Sequence, residues 1–283
     1  MKRVTIADVR RMKENGERFA ALTAYDVVTA RLVDEAGIPI ILVGDSLGMV
    51  VLGYDSTIPV TLDAMIHHTQ AVVRGTQRAL VVADLPFMTY HKSAEQALDS
   101  AARCIQEGGA QAVKLEGGRP VAGTIARLTS AGIPVMGHLG LTPQSIHQLG
   151  GYKAQGKTAA QAKSLVEDAL AVEEAGAFSV VLECVPAELS GLLTERLSIP
   201  TIGIGAGPHC DGEIQVVSDV LGWFSDFVPK HARRYAKLSE TAAEAIRAYA
   251  DDVQGGRFPT EKESVSVPAD VIGQVEEAFP IEP

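Results

Sequence analysis

Short apolar runs recur along this chain, each following a glycine-punctuated segment and each closing on a charged or polar residue. Ile40-Ile41-Leu42-Val43-Gly44 runs into Asp45-Ser46, Leu80-Val81-Val82-Ala83 into Asp84, and Ala112-Val113 into Lys114-Leu115-Glu116. Val135-Met136-Gly137 leads to His138, and Val180-Val181-Leu182 to Glu183. A continuous apolar run, as opposed to an alternating one, marks a parallel strand buried on both faces. Ahead of the runs stand helical patterns ending in Glu35-Ala36-Gly37, Glu107-Gly108-Gly109, Ala131-Gly132 and Glu174-Ala175-Gly176. Glycine just past a helix end is the usual left-handed cap. Helix, glycine, buried strand and polar loop, repeated, predict βα units.

Eight units are counted, with strands near 19–24, 38–45, 79–85, 111–116, 133–139, 178–184, 200–205 and 214–219. A first helix, Ile6 to Asn15, precedes strand 1 and is expected to close the bottom of a barrel. Between strands, Ala94, Ala97, Leu98, Ala101, Ala102 and Ile105 share one helical face. The pattern predicts a single-domain (β/α)8 barrel over 1–255 and a loosely packed C-terminal arm over 256–283. A doubly wound sheet is the other arrangement of such units. It fits less well, because the glycine-rich Gly203-Ile204-Gly205-Ala206-Gly207 lies near strand 7 and not after strand 1. Leu141 to Thr158 reads as a long polar connection, the kind that forms lids and binding loops. Lys230 to Tyr249 reads as a helix after strand 8, and Gly255 to Pro283 shows no clear period.

Composition narrows the function. A formal net charge of −10, with no basic run longer than Arg233-Arg234, argues against nucleic-acid binding. Cys104, Cys184 and Cys210 are too few and scattered for a disulfide framework or a cysteine zinc site. No apolar stretch reaches the roughly 20 residues of a membrane span, and Met1 to Arg10 lacks the apolar core of a signal peptide. A cytoplasmic protein is expected.

In a barrel of this type the C-terminal strand ends meet on one face, where active sites sit. Asp45 and Asp84 end neighbouring strands and offer the one or two carboxylates that Mg2+ takes, with Glu116 as a further direct or water-mediated ligand. Each acid could instead cap a following helix, but carboxylates gathered without a cation repel one another. Glu183, flanked by Leu182 and Cys184 and across from strand 2, has the desolvated setting of a general base. An ion pair with a nearby Lys or Arg is the plainer role. Lys114 points to the same side as Glu116 and suits a substrate carboxylate, a Schiff base, or neutralisation of the acids. His138 is either structural or part of the site. His67 and His68 are adjacent on a helix, share no face, and read as structural. Gly203 to Gly207 either cradles a phosphate or lets a chain pass close.

Several of these segments together resemble one family. Leu42-Val43-Gly44-Asp45-Ser46-Leu47-Gly48-Met49, Ala83-Asp84-Leu85-Pro86-Phe87 and Val113-Lys114-Leu115-Glu116-Gly117-Gly118 are similar to motifs of the ketopantoate hydroxymethyltransferases. So are Gly137 to Gln144, Leu182-Glu183 and Ile202 to Gly207, in the same order from about Thr5 to Phe258. The resemblance implies a (β/α)8 barrel holding one Mg2+ per subunit, assembled as a homodecamer. It implies transfer of a hydroxymethyl group from 5,10-methylenetetrahydrofolate to 3-methyl-2-oxobutanoate, through a Mg2+-stabilised enolate, giving 2-dehydropantoate and tetrahydrofolate for pantothenate biosynthesis. Residue by residue, it puts Asp45, Asp84 and Glu116 at the metal. Asp45, Ser46, Asp84 and Lys114 contact the oxo acid, with His138 beside them, and Glu183 accepts the proton. Two segments depart from the family pattern, Met88-Thr89 and the run Phe227 to Tyr235. The rival readings are a Mg2+-dependent 2-oxo-acid lyase of the isocitrate lyase-like group, a Schiff-base aldolase using Lys114, and a catalytically silent binding or assembly barrel.

Overall fold

A computed structural model describes residues 2–223 and 229–280. Its strands in chain order are β1 (Phe19–Thr23), β2 (Ile40–Val43), β3 (Leu80–Asp84), β4 (Ala112–Lys114), β5 (Val135–Gly140), β6 (Ser179–Glu183), β7 (Thr201–Ile204) and β8 (Gly212–Gln215). Each pairs in parallel with the next, and β8 pairs with β1, so the sheet closes into a barrel. The first helices are α1 (Ile6–Glu14), α2 (Val27–Glu35), α3 (Leu47–Val50), α4 (Leu62–Gly75), α5 (Ala94–Gln106) and α6 (Arg119–Ser130). There follow α7 (Ile146–Leu149), α8 (Ala159–Glu174), α9 (Ala187–Arg196), α10 (Val217–Leu221), α11 (Leu238–Gln254) and α12 (Ala269–Ala278). Among the described residues no helix is long and apolar enough to cross a membrane.

The (β/α)8 barrel read from the pattern is the fold observed, with several elements redrawn. Strand 8, predicted at 214–219, spans Gly212–Gln215. There Gly212 and Glu213 register with Ile202 and Gly203 of β7, and the Thr23 hydroxyl then takes the Val217 amide at 3.0 Å, turning the chain out of the ladder into α10. The helix predicted from Lys230 begins only at Leu238. The residues before it run irregularly over α10, Tyr235 donating its N–H to the Val220 carbonyl at 2.8 Å. The connection after β5 is not all loop: Pro143–Ser145 forms a 3-10 turn and α7 follows. The buried stripe of α5 is Ala97, Ser100, Ala101 and Cys104, with Ala94, Leu98, Ala102 and Ile105 at its margins. The arm has an α-helix, α12, whose Val271, Ile272 and Val275 recur at helical spacing but stay exposed. Residues 281–283 of the arm lie outside the described residues.

Period-two alternation divides each strand between two cores. Leu42, Val82, Ala112, Met136 and Val181 point into the barrel with Phe19, Ile40 and Ile214. Val113, Val135, Val180 and Leu182 point outward beneath the helices. Val9 of α1, fully buried, belongs to the inner cluster, so α1 closes the N-terminal end. Counting two residues on from Val82, Ala112, Met136 and Val181 reaches Asp84, Lys114, His138 and Glu183, and Glu116 stands two beyond Lys114; two on from Leu42 lies Gly44, with Asp45 next. The alternation that fills the barrel with aliphatic side chains therefore delivers its charges to one layer at the C-terminal end.

Candidate active site

Register sets the heights within that layer. Asp84 and Lys114 are partners across β3 and β4, and Gly140 is the partner of Glu183 across β5 and β6. Gly140 has φ 92°, and a Cβ there would collide with the Glu183 carbonyl, so only glycine lets β5 pass so close to the acid. Asp45 follows β2 beyond Gly44 and donates its amide to Asp84 Oδ2 at 3.2 Å. Neither Asp45 nor Asp84 caps a helix: Ser46 is the residue preceding α3, and it makes no side-chain cap.

All seven residues singled out from the sequence line one cavity of about 810 Å3. Lys114 Nζ lies 3.0 Å from Asp84 Oδ1 and 3.9 Å from Glu116 Oε1. His138 Nδ1 is 3.2 Å from Glu116 Oε1 and 3.2 Å from Lys114 Nζ. On its other edge, His138 Nε2 is 3.1 Å from Glu183 Oε2, close but without the alignment of a hydrogen bond. The sequence pattern put Glu183 apart from the acid row and unpaired. The structure joins it to the row through the imidazole, and its partner is a histidine, not a Lys or Arg. Ser46 Oγ is 2.8 Å from the Tyr25 hydroxyl. His68 donates to the Tyr25 carbonyl at 2.6 Å, a structural role, as its helix position suggested. Met88 is exposed with φ 63° on the loop after β3, away from the cavity wall. Of the run Phe227 to Tyr235, Phe227 and Val228 lie outside the described residues.

The layer is short of positive charge. Burial holds the Asp45 carboxyl well above the ordinary range, and the neighbouring Asp84 and Glu116 push it further than Lys114 and Gln144 pull it back. Burial also raises Asp84, outweighing Lys114 beside it. Glu116 goes the other way. Burial opposes its ionisation, but His138, Lys114 and the Gln144 amide hold it below the usual range. Burial and Lys114 disfavour a charged His138, yet Glu116 and Glu183 on its two nitrogens prevail, raising it to about 9. Lys114 is raised likewise, by Asp84, Glu116 and Asp45 against its own burial. At neutral pH both bases are cations. A protonated Lys114 is no Schiff-base nucleophile, and a protonated His138 carries a proton instead of taking one.

Among the described residues no group of three or more His, Cys, Asp or Glu is gathered as a ready metal cluster. The donor set nonetheless fits a hard cation, since Mg2+ uses one or two carboxylates and leaves its other positions to water and substrate oxygens. Asp45 and Asp84 have the carboxylates in need of counter-charge. Glu116 has both oxygens engaged, Oε1 by His138 and Oε2 by the Gln144 amide at 3.0 Å. Gln144 and Tyr90 were not marked by the sequence pattern. Gln144 is 3% exposed and Tyr90 1%, and a neutral buried amide in a polar loop carries neither a period nor a charge to announce it.

Residues 3–261 match the sequence profile of the ketopantoate hydroxymethyltransferase family. A 3-methyl-2-oxobutanoate hydroxymethyltransferase of Dehalococcoides mccartyi (strain CBDB1) is 60% identical over 273 residues, 96% of this chain and 98% of the relative. One from Chloroflexus aurantiacus (strain ATCC 29366 / DSM 635 / J-10-fl) is 63% identical over 262 residues, 93% of this chain and 92% of the relative. Among solved structures, a phosphonopyruvate hydrolase complex with oxalate and Mg2+ superposes with a TM-score of 0.59 at 15% identity, covering 100% of both chains. A 2,3-dimethylmalate lyase of the PEP mutase/isocitrate lyase superfamily gives 0.54 at 17%, covering 96% of this chain and 98% of the other. At such identities the two structures share the fold alone.

Proposed function

The chain belongs to the ketopantoate hydroxymethyltransferase family, and from that premise we propose how its site carries out the hydroxymethyl transfer that defines such enzymes. The observation that carries the proposal is the charge imbalance of the buried layer. Four carboxylates, Asp45, Asp84, Glu116 and Glu183, face two cationic groups, Lys114 and His138, on one cavity. The deficit of two matches a divalent cation.

In this reading Asp45 and Asp84 hold Mg2+, and Glu116 supports it from behind His138 and Gln144. Bound there, Mg2+ supplies Lewis acidity toward the carboxylate and keto oxygens of 3-methyl-2-oxobutanoate. Lys114 and Ser46 orient the oxo acid. Glu183 takes the C3 proton, and the protonated His138 beside it balances its charge as a carboxylate before that step. Lys114 stabilises negative charge developing on the enolate oxygen. Water takes the one-carbon unit of 5,10-methylenetetrahydrofolate to the formaldehyde level and releases tetrahydrofolate. The enolate carbon adds to that carbonyl carbon, and the carbonyl oxygen gains a proton to become the new hydroxyl of 2-dehydropantoate. The cavity beyond the acids, lined by Tyr152, Trp223, Lys230 and His231, has the breadth that a folate ring system needs. The Lys114–Asp84 pair disfavours the Schiff-base aldolase. A silent barrel would not keep three buried carboxylates and a half-buried fourth on an open cavity. We further propose a cytoplasmic homodecamer whose contacts cover apolar side chains such as Ile246, Tyr249 and Phe279, exposed in the single chain.

The test is exchange of the C3 proton of 3-methyl-2-oxobutanoate in deuterated water. Exchange should require Mg2+, cease in EDTA and resume when Mg2+ is restored. Undiminished exchange in chelator, or borohydride trapping of substrate on Lys114, defeats the reading. Light scattering at micromolar concentration checks the assembly, and a monomeric mass rules out the decamer.

A further inference from the structure

Gln144 binds two acids of the layer, Asp45 and Glu116, yet the proposed chemistry gives it no role. Its side-chain Nε2 donates to Asp45 Oδ2 at 2.9 Å and to the Leu85 carbonyl at 3.0 Å. Its Oε1 accepts from the Tyr90 hydroxyl at 2.7 Å. The Tyr90 oxygen in turn accepts the Glu116 amide at 3.1 Å. The backbone N–H of Gln144 donates to Glu116 Oε2 at 3.0 Å. This network allows one orientation of the amide: its nitrogen faces two oxygens that only accept, and its oxygen faces a hydroxyl that has a proton to give. A buried network in which every member is satisfied rigidifies its neighbours. Here it spans the loops after β2, β3, β4 and β5.

We infer that Gln144, held by Tyr90, is a positioning residue that fixes the Asp45 and Glu116 carboxylates for the metal and oxo acid. The inference rests on the Mg2+ reading of the site above. Gln144 engages one oxygen of each carboxylate. For Asp45 this leaves Oδ1, which has no hydrogen-bond partner among the described residues, as the oxygen available to a cation. Without the Gln144 side chain, Asp45 Oδ2 loses its donor at 2.9 Å and the carboxylate is free to rotate. Outer partners of metal-ligating carboxylates are commonly worth about 10- to 100-fold in metal affinity. Gln144 is thus expected to set affinity for the cation, not merely to brace the loop before α7.

The experiment measures Mg2+ binding by calorimetry, alone and with 3-methyl-2-oxobutanoate, for wild type, Gln144→Met, Tyr90→Phe and the double variant. Melting of each protein without metal is recorded alongside. Gln144→Met keeps the length of the side chain without its donors, and should weaken Mg2+ about 10- to 100-fold and raise the oxo-acid KM with it. Tyr90→Phe should weaken Mg2+ by about threefold or more. The double variant should be no weaker than Gln144→Met within about twofold, because Tyr90 acts through Gln144. A lower metal-free melting point with an unchanged Mg2+ dissociation constant marks a bracing role and overturns the inference, as do fully additive losses. Should Gln144→Met fail to fold, Tyr90→Phe decides alone, and wild-type Mg2+ affinity in that variant is fatal. Wild-type protein that binds no Mg2+ sinks the metal reading first, and the inference with it.

Discussion

At the N-terminal end of the barrel, the Asp34 carboxylate accepts the backbone N–H groups of Gln77, Arg78 and Ala79 at 2.6 to 3.0 Å, just where β3 begins. Asp211 does the same for Thr201 at the start of β7, with Lys13 at 2.9 Å, and Glu173 for Ser198 and Ile199. At the C-terminal end, Asp45 and Asp84 are no less buried, yet they face one another and Glu116. The chemical consequence is opposite. Burial disfavours ionised Asp34, but the three amides outweigh it and hold the carboxyl below the ordinary range. Asp45 and Asp84 lie above it. Carboxylates that are paid off by backbone amides hold the strands in register; carboxylates left short of counter-charge are poised to bind something. Barrels of this type separate stability from function between their two ends, and here the same residue type shows both.

The widest break in that contrast comes from neutralising one acid of the upper layer. Asp45→Asn keeps the shape and can still accept from Gln144, but it removes a charge that the proposed Mg2+ would need. Turnover should fall by at least about four orders of magnitude, since a metal supplies several kcal/mol of charge stabilisation. Urea unfolding of the metal-free variant should meanwhile show it about 1 kcal/mol more stable, because a poorly compensated buried charge has gone. Lower stability would show that the two ends do not differ in the sense argued.

Glu183→Gln should lower C3 exchange by about two to four orders of magnitude, the usual worth of a general base, while Mg2+ and oxo-acid binding stay within about twofold. Near-normal exchange places the base elsewhere. A protonated His138 could then serve only after giving its proton to Glu116. At the lower end, Asp34→Ala strands three backbone donors. It should lower unfolding stability by about 3 kcal/mol with kcat unchanged. A fall in kcat without a fall in stability would reverse the roles of the two ends.

How much of this was visible in the chain follows from the kind of interaction. Strands were legible because apolar runs between glycines leave a strong local signal, and Asp84, Lys114 and Glu183 were legible as the polar residues that end them. The turn at Val217 was not, because a hydroxyl from β1, 194 residues away in sequence, sets it. Nor was the His138 bridge from Glu116 to Glu183, which depends on how β4, β5 and β6 sit side by side. Asp34 sits in the last turn of α2 and matches no pattern that marks a strand end. Its partners lie 43 to 45 residues away, and no spacing in the sequence announces them.

The smallest effect sharpens the comparison through pH. Asp34→Asn keeps one accepting oxygen but turns an N–H2 group toward converging amides, so it should cost about 1–2 kcal/mol at pH 7. The folded Asp34 carboxyl is held below its unfolded value, so the folded state binds fewer protons there than the unfolded chain does. The carboxylate's contribution is therefore fully present above about pH 4 and is lost as pH falls through the folded value. Asparagine has no such titration. The difference in urea midpoint between wild type and Asp34→Asn should be constant from pH 7 down to about pH 5 and narrow below pH 4, because only the wild type loses stability there. A gap that widens on acidification would mean that the three amides do not favour the charged form. The N-terminal carboxylates would then be as poorly compensated as the C-terminal ones, and burial alone would not tell the two ends apart.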